Sequence, residues 1–383
     1  MTRVSLSGRQ HFRQLDSLRG IAALLVVANH FVLLGPMAWM LKTPLRVFAL
    51  GHEAVILFFT LSGFVLTLQL RSDWGVTYKH YLIKRVCRIY LPYLVVLVAT
   101  IVIASTIHVR AVDWASNWFN GVWSEPITAA EIYHHLLFVG QFNAYELNPV
   151  IWSLIYEMRI SLVMPLVVLW VVWVPAITCV NVALGASALA FVLVQMEGSG
   201  PSSANFSGNW AMTMHYLALF VVGVLLAVHR ARWRKWLKKD GRTRVVLGVS
   251  LALYFVSRSV LSIKTGAIGQ FIFDWCVAVG SAGIIGCSLV STRFARLLRT
   301  RPIEFLGDIS YSLYLTHAVV LLTVVHLMPS PELKWRAILI AAALVIPVAT
   351  ATHYIVERRT MRLGQFLTAR RGTKVAARAS QTL

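Results

Sequence analysis

Arg19 and His30 stand eleven positions apart in an otherwise apolar run, Leu15-Asp16-Ser17-Leu18-Arg19-Gly20 through Ala28-Asn29-His30-Phe31. At about 100° per residue, eleven positions make three helical turns plus roughly 20°, so the two side chains share one face about 16 Å apart along the axis. A guanidinium at the membrane edge can hold phosphates. An imidazole deeper along the same face can take the proton of a hydroxyl that attacks a thioester. Asp16 lies three residues before Arg19, where it can cap the helix and pair with that arginine. It is counted with His30 among the catalytic candidates.

Four further groups could join them. Glu157 falls about 9 Å inside a helix that begins at Ile151, where a carboxylate can orient His30, bind an acceptor hydroxyl or pair with an arginine from elsewhere. Arg159 is two positions on and points to a different face. Arg85 and Arg88 sit one turn apart in Lys84-Arg85-Val86-Cys87-Arg88, as guanidinium forks for phosphate or as a topology cluster. His317, about 12 Å into a helix counted from Ile309, reaches the level of His30 and can line the same cavity or pack as a hydrogen-bonded core histidine. Gly63 and Ser62, in Leu57–Phe64, suit close helix packing. No nucleotide-binding loop, zinc-protease motif or close cysteine–histidine cluster occurs, so no metal is expected.

The elements that must position these groups are membrane helices. The 383 residues are 58% hydrophobic and only 13% charged, against about 25% charged in an ordinary soluble domain. The apolar residues fall in runs of about 20, the length that crosses a hydrocarbon core. Ten spans are expected, near 18–38, 53–70, 89–108, 151–172, 175–194, 210–229, 245–262, 269–290, 309–328 and 335–355. The net charge of +21 does not point to nucleic acid, because the basic residues lie in short blocks between spans. Segments 1–20, 71–88, 230–244, 293–301 and 356–383 hold 28 of the 36 Lys and Arg, which places them, and both termini, in the cytoplasm. Within the longest outer stretch, 109–150, His134-His135-Leu136-Leu137-Phe138-Val139 is too short to span and is expected to lie in the interface or re-enter. Cys87, Cys179, Cys276 and Cys287 have no redox or metal spacing and read as reduced, buried small residues. No cleavable signal peptide is expected.

Taken together, five stretches resemble the acyltransferase 3 family of integral membrane acyltransferases, which includes bacterial O-antigen and exopolysaccharide acetylases. They are Leu15–Phe31, Phe58–Phe64, Arg85-Val86-Cys87-Arg88, Trp152-Ser153-Leu154 with Glu157, and Ile309–Leu315 with His317. The resemblance runs from about His11 to about Glu357. It departs at Arg159-Ile160-Ser161, where relatives carry an aromatic pair, and at Thr316, where a tryptophan is common. It implies His30 as catalytic base, with Arg19, Arg85 and Arg88 on the phosphates of acetyl-CoA or another acyl-CoA. Trp152, Ser153 and His317 would lie on the acceptor side.

The expected protein is therefore an all-α polytopic membrane bundle. A cytoplasmic segment, 1–10, precedes a membrane domain, 11–357, and a basic disordered tail, 358–383, follows. The resemblance implies a bacterial inner-membrane O-acetyltransferase-like enzyme whose partners are acyl-CoA, a glycan, glycolipid or other hydroxylated acceptor, and the bilayer. A proton-coupled exporter of a sugar or lipid is the alternative that buried His and Glu allow. Arginines at the cytoplasmic edge are what a proton relay does not need.

Overall fold

Long apolar runs can satisfy their backbone groups in a bilayer only as helices or closed barrels, and this chain takes the first route. The computed structural model describes residues 12–72, 77–198, 200–239, 241–261 and 266–379; for 201–203, 258–261, 266–267 and 370–379 it describes the backbone alone. The expected cytoplasmic segment, 1–10, lies outside the described residues. No strand occurs among them.

The first half of the chain forms α1 (Arg13–Leu33), α2 (Gly51–Ser72), α3 (Tyr78–Arg85), α4 (Leu91–Thr106), α5 (Asn117–Asn120), α6 (Ala129–Leu137), α7 (Trp152–Trp173) and α8 (Ala176–Met196). The second half forms α9 (Pro201–Phe206), α10 (Trp210–Val228), α11 (Arg230–Leu237), α12 (Arg242–Leu261), α13 (Gly266–Val290), α14 (Thr292–Leu298), α15 (Arg301–Asp308), α16 (Ser310–Leu327), α17 (Lys334–Thr352) and α18 (Arg358–Ala379). Nine segments among the described residues are long and apolar enough to cross a membrane. The remaining expected span, 245–262, is helical as α12 and lies antiparallel on α13, where Cys287 Sγ donates to the Thr243 carbonyl at 3.5 Å.

Lipid tails are as apolar as leucine, so these helices associate by close packing rather than by hydrophobic exclusion. Glycines make the approach possible. A Cβ at Gly223 of α10 would stand 2.0 Å from the Thr60 carbonyl oxygen of α2, and one at Gly63 of α2 would stand 2.2 Å from that of Phe220. The packing role read for Leu57–Phe64 is thus its observed one. A second crossing joins α1 to α15, where a Cβ on Gly20 would lie 2.5 Å from the Gly307 nitrogen. The inner frame consists of α1, α2, α10 and α16, and the site hangs on it.

Two helices run further than the sequence suggests. The span expected from residue 89 already begins at Tyr78, and α3 joins α4 through a π turn at Val86–Tyr90. The basic segment expected at 71–88 is helical from Tyr78, in line with the one-turn spacing read for Arg85 and Arg88. A second π turn, His353–Glu357, carries α17 into α18. The stretch expected to be disordered from 358 is helical to Ala379, in keeping with its Arg, Leu and Ala content. It packs along α3, with Gly364 against Cys87. All four cysteines are free.

Candidate active site

Helix α1 presents His30 to α16. The His30 Nδ1 atom lies 2.9 Å from the Val26 carbonyl oxygen and 3.1 Å from His317 Nε2. The two imidazole centroids are 5.0 Å apart. Trp118 of α5 covers His30 from the outer loop, at 5.1 Å between centroids. His317 is fully buried and its Nδ1 lies 2.9 Å from the Leu313 carbonyl. Among the described residues His30 Nε2 has no hydrogen-bond partner.

Toward the other end of α1 the charges gather. Arg19 Nη1 contacts Asp16 Oδ1 at 3.3 Å, and Arg88, Glu157 and Arg85 lie within electrostatic reach of the same guanidinium. Asp16 does not cap the helix: α1 begins at Arg13 with Phe12 in the cap position, so Asp16 sits inside the first turn. Arg85 is buried. Its Nη2 donates to Glu157 Oε1 at 3.0 Å and to Ser161 Oγ at 2.8 Å. Arg85 Nε is buried without a hydrogen-bond partner. Ser62 Oγ donates to Glu157 at 3.4 Å. Glu157 is thus the counter-ion of Arg85, and the side chain that meets His30 Nδ1 is His317.

With this geometry, the comparisons with known proteins decide the class. A family model described as an acyltransferase domain, acyltransferase 3, matches residues 12–354, nearly the whole chain. The protein belongs to the acyltransferase 3 family. No curated protein and no solved structure matches the chain significantly. It is a multi-pass membrane acyltransferase, and the exporter reading gives way.

Helix α16 explains why its polar residues recur so densely in this acyltransferase 3 chain. Tyr311 Oη donates to the Ile89 carbonyl at 2.6 Å, inside the first π turn. Ser312 Oγ donates to Glu357 at 2.6 Å, inside the second, where His353 Nδ1 also meets that carboxylate at 2.9 Å. A π turn frees carbonyls from the regular ladder, and Tyr311 takes one of them. Tyr314 Oη donates to the Val150 carbonyl at 2.8 Å and lies 2.7 Å from Ser153 Oγ. Thr316 Oγ1 donates back to the Ser312 carbonyl at 2.8 Å. Trp152 lies in an aromatic cluster with Tyr156, Phe206, Tyr216 and His52.

Several groups escaped the sequence reading. Asp274 of α13 is fully buried, with His52 Nε2 at 2.7 Å and His215 Nε2 at 3.0 Å on its two oxygens. His215 Nδ1 continues to Ser187 Oγ at 2.7 Å, tying α2, α8, α10 and α13 together. A lone acid in an apolar span is itself the signal. Trp118 carried none, because nothing in a loop sequence says which span it covers. Arg159 is satisfied without a carboxylate: its guanidinium donates to the carbonyls of Val139 and Gly140 and to Thr213 Oγ1, and stacks 3.8 Å from the Trp210 ring centroid. Among the described residues no group of three or more His, Cys, Asp or Glu is arranged for a metal ion.

Proposed function

We propose that this acyltransferase moves an acyl group, acetyl by family habit, from acyl-CoA to a hydroxyl of a glycan or glycolipid such as O-antigen or exopolysaccharide, in the bacterial inner membrane. One relationship carries the reading. His30, with Nε2 unengaged, stands eleven residues along α1 from Arg19, and the Arg19 end of that helix gathers Arg85 and Arg88. That separation, about 16 Å of helix, suits an extended pantetheine arm between nucleotide phosphates and thioester. Three guanidinium groups face two carboxylates in this cluster, and the surplus positive charge favours a polyanion.

In this scheme Arg19 and the exposed Arg88 hold the phosphates. Arg85, pinned by Glu157, offers its unpartnered Nε to the donor. Asp16 and Glu157 hold the arginines in place rather than reacting. The acceptor oxygen attacks the thioester carbonyl carbon while its proton passes to His30 Nε2. The carbon–sulfur bond then breaks, and the departing thiolate takes that proton back, so ester and free CoA thiol leave with no net proton. General-base help of this kind is worth about 10²–10⁴ in rate. Ser153, with Tyr314, and Trp152 are the acceptor-side candidates.

The test is release of CoA thiol from acetyl-CoA by detergent-purified protein, wild type beside His30→Ala, with and without a glycan-lipid extract of the source cell. Release by wild type alone, stimulated by the extract, is expected. Equal release by a well-folded His30→Ala enzyme would remove His30 as the base, and no release with any acyl-CoA would remove the donor.

A further inference from the structure

Two imidazoles in contact inside a membrane need a reason, because a leucine would pack at position 317 without any polar group to satisfy. We infer that His317 is a positioning residue that fixes the proton of His30 on Nδ1 and so leaves Nε2 as the bare, proton-accepting nitrogen; the inference rests on the reading of His30 as the base.

The argument follows from donors and acceptors. The Leu313 carbonyl can only accept, so His317 Nδ1, 2.9 Å away, carries hydrogen. In the neutral ring the other nitrogen, Nε2, is then a lone-pair acceptor. That acceptor lies 3.1 Å from His30 Nδ1, and a second acceptor, the Val26 carbonyl, lies 2.9 Å from the same atom. An atom facing two acceptors must be the donor. His30 therefore holds its hydrogen on Nδ1, shared between the two, and its lone pair on Nε2.

Val26 alone would leave the ring free to swing, since its carbonyl belongs to α1 itself, one turn before His30. His317 comes from α16, 287 positions away in sequence, and anchors the imidazole to a second helix. It also governs the charged state. When Nε2 takes the acceptor's proton, the positive charge spreads to Nδ1–H, whose bond to the His317 lone pair strengthens as donor charge grows. A second proton on the pair would set two cations in contact in a low-dielectric interior, so the pair takes up one proton per cycle, at Nε2. Tyr314, 6.1 Å from His317 between ring centroids, packs at the pair's edge.

The full-length protein in nanodiscs, labelled with ¹⁵N-histidine, gives a direct test. The His30 signal is assigned by its loss in His30→Asn. The expected spectrum shows one tautomer, protonated Nδ1 and bare Nε2, in wild type and in His317→Gln, whose amide oxygen can accept the same bond. In His317→Leu the signal should divide between tautomers or broaden. In turnover, His317→Leu should lower kcat about 10- to 100-fold, the worth of a hydrogen bond to a charged group, with little change in the donor KM; His317→Gln should recover most of that loss. A wild-type His30 protonated on Nε2 would overturn the inference, as would equal kcat losses for folded Leu and Gln variants. If His30→Asn kept full turnover, the base assignment would fall instead, and the tautomer spectrum would still judge the contact.

Discussion

Arg85 and Glu157 meet at 3.0 Å, Nη2 to Oε1, although their helices begin on opposite sides of the membrane. Tyr78 and Tyr81 make the same antiparallel seam, donating to the Leu162 and Ser161 carbonyls at 3.0 and 2.9 Å. The arginine is therefore inside the bundle, where its charge must be matched.

Glu157→Gln removes the counter-charge of that guanidinium while leaving an amide acceptor and Ser161 beside it. We expect a loss of about 3 kcal/mol, the cost typical of breaking an enclosed ion pair, and recovery of much of it in the Glu157→Gln/Arg85→Met double variant. Thermal unfolding in detergent reads both. A single variant as stable as wild type would mean that the pair carries no structural weight.

Arg88 should behave differently. It is exposed on the rod formed by α3 and α4. Arg88→Ala is expected to raise the acyl-CoA KM roughly tenfold, about one charge-assisted hydrogen bond, at unchanged melting temperature. Arg85→Ala should lose stability first, so its kinetic effect must be read against its folded fraction. An Arg88→Ala enzyme with wild-type KM would place the phosphates elsewhere.

Asp274→Ala removes the shared partner of two imidazole donors in the bundle interior. The expected cost is about 3 kcal/mol. Asp274→Asn, which keeps one acceptor, should fall between. Denaturation of the purified variants decides it. Equal stability in all three proteins would show that the two histidines have other adequate partners.

His135 links stability to pH. Burial against Tyr93 and Phe142 pushes it down to about 4 from an ordinary 6.5. Between those values the unfolded chain takes up a proton that the folded one refuses. The contribution is full above pH 6.5 and is lost as pH falls toward 4, up to ~3 kcal/mol for a shift of this size. His135→Leu should flatten the melting temperature over that range, and Tyr93 would keep the backbone carbonyl of residue 135 at 3.2 Å. An unchanged slope in the variant would assign the pH dependence to another group.

Much of this was legible because a membrane makes sequence periodic and charge conspicuous. The spans follow from apolar length. The meeting of His30 with His317 follows from two depth counts that agree. The Gly63 crossing follows from a small residue in a bulky run. The partner of Glu157 was not legible, because Arg85 comes from a basic segment that reads as cytoplasmic, and nothing local aligns residues 85 and 157. Asp274 was missed although an acid in an apolar span marks itself; its two histidines, on α2 and α10, could not be read, since nothing local aligns residues 52, 215 and 274. Helix α18 was hidden by charge, which marks a surface without saying whether that surface is ordered.

The π turn has one more implication. A π turn holds one residue more than the α-helix would need to cover the same rise. Deleting a single residue between Arg85 and Leu91 would restore a regular helix and leave hydropathy, charge and span count almost untouched. It would leave Arg85 on nearly the same face relative to α4, because the bulge is what absorbs the extra residue, and the change would fall instead on the turn whose Ile89 carbonyl accepts from Tyr311 of α16. The extra residue beside the arginine pair is therefore a docking point for α16 rather than a pivot for Arg85, and its deletion would loosen the α4–α16 contact while leaving the Arg85–Glu157 pair in place.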